Sequence, residues 1–153
     1  MSGQAPVSPL EAHLGYWLRF VSNQVSHAFA LKVAARDVTV AEWVVLRELY
    51  GQDAVVPSML AERLGMTRGA ISKLADRLVA KQLVTRTIHG DDRRYQVLAL
   101  TDTGQALVPE LSALADQNDA EFFGHLDASQ RAAIQEALQD IVRRHGLRSV
   151  PVE

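Results

Sequence analysis

The chain has 153 residues, 48% of them hydrophobic and 22% charged, an ordinary globular composition that excludes a disordered chain. It contains no cysteine, which excludes disulfides, thiolate zinc sites and thiol redox sensing. The net charge of −2 conceals an uneven distribution: residues 63–94 carry eight Lys/Arg against three acids, net +5, while 1–62 and 95–153 are net −2 and −5. A cationic third between anionic flanks is the footprint of a nucleic-acid-binding module, although an ordinary solvated helix face can also carry it. No stretch is apolar and charge-free for long enough to span a bilayer. Residues 1–8 lack the basic start and apolar core of a secretion signal, so a cytoplasmic protein without a membrane partner is expected.

In chain order, Leu10, Leu14, Trp17, Leu18, Val21, Val25, Ala28 and Phe29 recur at steps of three and four, predicting one long helix over about residues 10–34. At 1.5 Å per residue it would reach roughly 35–40 Å, more than so small a chain can cover, so a second copy is expected. Thr39 and Glu42 fit a capping box for a helix ending near Tyr50 and Gly51. Pro57 suits the first position of a short helix that Gly65 ends, and Thr67 caps the next, from Arg68 to about Lys81. With only Gly65, Met66 and Thr67 between them, these two helices must cross steeply, as in a helix-turn-helix. The period then changes to two: Val84 to Ile88 and Tyr95 to Leu100 read as strands around Gly90-Asp91-Asp92, a hairpin placed as a wing. Two further helices follow, one capped by Thr101 with Pro109 as a kink or delayed start, the other capped by Asp127 with an Ile134, Leu138, Ile141 and Val142 stripe.

On the second helix of the motif, Ile71, Leu74, Ala75 and Leu78 share one face, and Arg68, Gly69, Ser72, Lys73, Asp76 and Arg77 the other. A recognition helix needs such a division, with small or hydrogen-bonding residues near its start to approach base edges. Thr67 and the free amides of the first turn can hold a phosphate. Arg68 is the best candidate for reading a guanine, followed by Ser72 and Lys73. Arg77, Arg86 on the first strand, and Arg93 and Arg94 at the hairpin tip complete the expected DNA-binding set. Asp92, two residues before Arg94, can orient that arginine towards a minor groove. A generic amphipathic helix and a salt-bridged solvent loop are the plain alternatives, and their occurrence in succession favours the wing.

The run from Leu60 to Leu78, followed by Gly90-Asp91-Asp92-Arg93-Arg94 and Leu100-Thr101-Asp102-Thr103-Gly104, resembles the MarR family of bacterial transcriptional regulators over nearly the whole chain. Its most specific part is Asp92-x-Arg94 followed by Leu100-Thr101-x-x-Gly104. The resemblance implies a homodimer whose N- and C-terminal helices interlock, with two winged units on a pseudo-palindromic operator in double-stranded DNA. It further implies repression relieved by a small aromatic or phenolic effector bound between the dimer helices and the winged unit. His13, Trp17, Trp43 and Arg47 lie on the segments that would line that cleft, although each tryptophan could equally be core and Arg47 could pair with Glu48. One departure is Val56, where a capping Thr or Ser is usual.

The expected fold is mainly α with a small β-hairpin: a dimerisation helix over 1–36, a winged helix-turn-helix over 37–100, and dimerisation helices over 101–153. The five histidines are scattered, so neither a metal site nor a cofactor is expected. No Gly-rich phosphate loop, G-x-S-x-G or carboxylate–histidine cluster points to an enzyme. The remaining rival is a winged-helix module that binds protein without DNA sequence specificity, which would not need eight Lys/Arg in residues 63–94.

Overall fold

The computed structural model describes residues 3–88 and 96–152. Six α-helices and one hairpin follow in the order α1 Leu14–Ala34, α2 Val40–Leu49, α3 Pro57–Leu64, α4 Arg68–Ala80, β1 Val84–Ile88, β2 Gln96–Leu100, α5 Asp102–Phe123 and α6 Ala128–Arg144. The long first helix begins later than its periodicity predicts. Leu10–Ala12 forms a separate 3-10 turn, and His13 is extended (φ −93°, ψ 124°), which breaks the helix before Leu14. Thr39 and Glu42 form the predicted capping box on α2, and Thr67, Thr101 and Asp127 cap α4, α5 and α6. Val56 precedes α3 without a side-chain cap, and Pro57 occupies the first helical position. Pro109 does not delay α5, which runs through it from Asp102; its ring removes the amide that the Gln105 carbonyl would have accepted.

The core forms where α2, α3, α4, the hairpin and the first half of α5 meet. Leu46, Leu49, Leu60, Ile71, Leu78, Leu98, Val108 and Leu111 are fully buried there. The hairpin is antiparallel, with Val84 opposite Leu100 and Ile88 opposite Gln96. A third strand position was not apparent in the sequence: Val55 exchanges two backbone hydrogen bonds with Leu98, both 2.8 Å. The run Ala54-Val55-Val56 before Pro57 is too short to carry a period, so no pattern announces it.

Two apolar faces remain open. On α1, Leu14, Trp17, Leu18 and Val21 are 42–70% exposed; on α6, Ile134, Leu138, Ile141 and Val142 are 40–46% exposed, and the helix buries none of its residues. The packing expected of the α6 stripe is therefore absent within one chain. Among the described residues, no helix is long and apolar enough to cross a membrane.

Candidate nucleic-acid interface

The helix-turn-helix is built by a short turn with no slack. Gly65 ends α3 in the left-handed conformation (φ 63°, ψ 30°), and Met66 N donates to Ala61 O at 2.9 Å. Thr67 Oγ1 then accepts the Ala70 amide at 3.1 Å and starts α4. Ile71, Leu74, Ala75 and Leu78 are buried against the core, which fixes the rotation of α4 and turns Arg68, Gly69, Ser72, Lys73 and Arg77 outwards. A side chain at Gly69 would meet nothing nearer than Thr67 Oγ1 at 4.0 Å, so packing within the chain does not require glycine there. The open space is on the outer side, where a duplex backbone would have to approach.

Two basic side chains, Arg86 and Lys81, tie α4 to its neighbours. Arg86 Nη1 on β1 donates to Asp76 Oδ1 at 2.7 Å, and its Nη2 donates to the Ser72 carbonyl at 3.4 Å. Arg86, expected among the DNA-binding residues, is thereby held against α4, unlike the outward-facing Arg68 and Lys73. At the far end, Lys81 Nζ lies 3.0 Å from Glu42 Oε2 and 3.1 Å from Oε1, and donates to the Asp37 carbonyl at 2.6 Å. Burial alone would raise the Glu42 carboxyl; hydrogen bonds from the Thr39 amide, Lys81 and the Thr39 hydroxyl, with the Lys81 charge, hold it below its ordinary value. At the base of the hairpin, Thr101 Oγ1 donates to the Gln82 carbonyl at 2.7 Å and accepts the Gly104 amide at 3.0 Å. A Cβ at Gly104 would collide with the Leu83 carbonyl, which accounts for the Leu-Thr-x-x-Gly spacing as a tight closure of hairpin onto helix. Asp92, Arg93 and Arg94, expected at the tip, lie outside the described residues.

The four residues expected to line an effector cleft do not converge within one chain. Trp43 lines a cavity of about 310 Å³ with Phe29, Val44, Asn118 and Phe123, its ring edge-on to Phe29 at 6.5 Å. His13 precedes α1, its Nδ1 3.3 Å from Leu10 O; Trp17 Nε1 donates to Glu11 O at 2.9 Å; Arg47 lies over the Tyr50 ring at 5.9 Å rather than pairing with Glu48. Asn118, which sequence reasoning passed over, is the buried polar group of the cavity wall. It accepts from Lys32 Nζ at 3.0 Å and donates to Val25 O at 3.2 Å, tying α1 to α5. Among the described residues, no group of three His, Cys, Asp or Glu side chains is arranged for a metal.

Two helices joined by a three-residue turn and followed by a hairpin, with the second helix presenting cations outwards, define a winged helix-turn-helix DNA-binding protein. The MarR family model matches residues 36–94. The transcriptional regulator SarZ of Staphylococcus saprophyticus is 26% identical over 136 residues, 89% of this chain and 92% of its own. Among solved structures, BpsR of Bordetella bronchiseptica, whose DNA binding is regulated by 6-hydroxynicotinic acid, is 27% identical with a TM-score of 0.76, over 90% of this chain and 97% of its own. A MarR mutant from Escherichia coli complexed with operator DNA is 25% identical with a TM-score of 0.74, over 84% and 93%. The chain is thus similar to transcriptional regulators of the MarR family over most of its length.

Proposed function

We propose that the protein is a dimeric, sequence-specific repressor that binds a pseudo-palindromic duplex through α4 and the hairpin, and that a small aromatic ligand releases it. The observation that carries this reading is the division of α4: a fully buried apolar back, and an exposed front with Arg68, Ser72, Lys73 and Arg77. Thr67 and the first-turn amides take a phosphate, Arg68 reads a base, and Lys73 and Arg77 neutralise the backbone. Arg93 and Arg94 contribute from the hairpin tip, with Asp92 orienting Arg94. Arg86 acts by positioning α4.

The partner is a second copy, because the open faces of α1 and α6 are apolar, lie on the two terminal helices, and have no cover in one chain. Effector binding is assigned to the Phe29/Trp43 cavity, whose aromatic walls and single buried amide suit a small aromatic ring. BpsR supports this by responding to such a compound. The test is a salt titration of binding to a selected and a scrambled duplex. The reading predicts tighter binding to the selected duplex at every salt concentration, with both affinities falling as salt rises. Equal affinities would leave a non-specific binder.

A further inference from the structure

The last residues of the chain return to the helix-turn-helix. After α6, Gly146 takes a left-handed conformation (φ 58°) and Leu147 N donates to Val142 O at 3.0 Å, turning the backbone. Ser149 Oγ then donates to Gly65 O at 3.3 Å, and Val150 N donates to Leu64 O at 3.1 Å. A Cβ at Gly65 would run into the backbone of Arg148 and Ser149, so glycine there serves the close approach as well as the left-handed turn. Val150 packs against the buried core, and Pro151 forms part of the cavity wall beside Phe29, Trp43 and Val44. One short segment therefore touches both the turn that launches α4 and the chamber assigned to the ligand.

We propose that Arg148–Pro151 is a strap that conveys occupancy of the Phe29/Trp43 cavity to the turn between α3 and α4. This rests on the reading of the protein as a ligand-responsive DNA-binding regulator. The cavity, about 310 Å³, is at the small end of the roughly 300–1,000 Å³ typical of ligand sites, so a bulkier occupant seated fully against its walls would press on them. The other walls belong to α1, α2 and α5; Pro151 alone among the lining residues stands on a segment without regular secondary structure. Moving it outwards draws Val150 from Leu64 and Ser149 from Gly65, and the entry to α4 loses the contacts that fix it. The strap then has two states, docked and released, and the ligand and the turn bias the same equilibrium.

The test uses cavity-filling in place of a ligand. Wild type, Val150→Pro and a chain ending at Leu147 are each made with and without Ala115→Phe, which fills the cavity from α5; Ser26→Leu is the second filler should Ala115→Phe not fold. The readouts are amide hydrogen exchange over residues 64–70 and affinity for a duplex selected by the wild type. Loss of the docked hydrogen bonds should speed exchange at Met66 to Ala70 by about tenfold in both strap variants and lower duplex affinity by a similar factor. The filler should weaken binding by the full-length chain and add nothing once the strap is gone. Unchanged exchange in the strap variants, or a filler that weakens all three backgrounds equally, would overturn the strap. Failure to select any duplex would instead remove the DNA reading, and the exchange comparison would still decide the strap.

Discussion

Arg68 stands in the first turn of α4, exposed, and joins no ion pair among the described residues. A guanidinium so placed is free to make two parallel hydrogen bonds to one base edge. Arg68→Ala is predicted to reduce affinity for the selected duplex by about 1–3 kcal/mol and to relax preference at one base position. Equal losses on selected and scrambled duplexes would make Arg68 a phosphate contact. Glu42 is the opposite kind of residue, fully buried and paired with Lys81. Its folded pKa lies below the ordinary 4.5, so its stabilising contribution is complete above that pH and is lost as pH falls through the lower, folded value. Glu42→Gln should cost about 1.5–3 kcal/mol at neutral pH, the worth of hydrogen bonds to a charged group. Urea melts of the two proteins should converge as pH drops below about 4.5; a constant gap would assign the loss to packing.

Elements announced themselves in the sequence wherever their ends carry chemistry. Thr39 with Glu42, Pro57, Gly65, Thr67 and Asp127 marked helix limits that the structure reproduces, because caps and left-handed turns are properties of single residues. The start of α1 differs from the periodicity, since an apolar stripe continues smoothly from Leu10 to Leu14 while the backbone breaks at His13. The Arg86–Asp76 and Lys81–Glu42 pairs were illegible for another reason. They join residues of different elements, 10 and 39 positions apart, and nothing in periodicity records which face meets which. The hairpin is where element-scale prediction is sharpest. Arg94→Ala should weaken binding to all duplexes alike and flatten the log–log salt dependence by about one unit, the signature of one lost phosphate-region contact. Asp92→Ala removes no DNA contact, so it should cost less affinity and leave the slope in place. Isotherms at several salt concentrations separate them, and an Arg94→Ala protein with wild-type affinity and slope would remove the hairpin from the interface.

At the scale of the molecule, the charge map and the open apolar faces meet in one geometry. Cations concentrate in residues 63–94, while the uncovered stripes of α1 and α6 lie in the anionic flanks. Two copies joined along those stripes would carry two copies of α4, and an interface of the obligate kind buries upwards of about 2,000 Å². The 16.8 kDa chain should therefore sediment as a dimer at micromolar concentration, and a stable monomer would contradict the pairing. Such a dimer spaces its two reading helices by about one turn of B-form DNA. Selection of bound sequences from a random duplex pool tests the whole account most directly, because it answers for the contact surface and the symmetry together. The account predicts enrichment of an inverted repeat with half-site centres about 10 base pairs apart. A pool that shows no enrichment, or one that yields a single half-site without its mate, would contradict it.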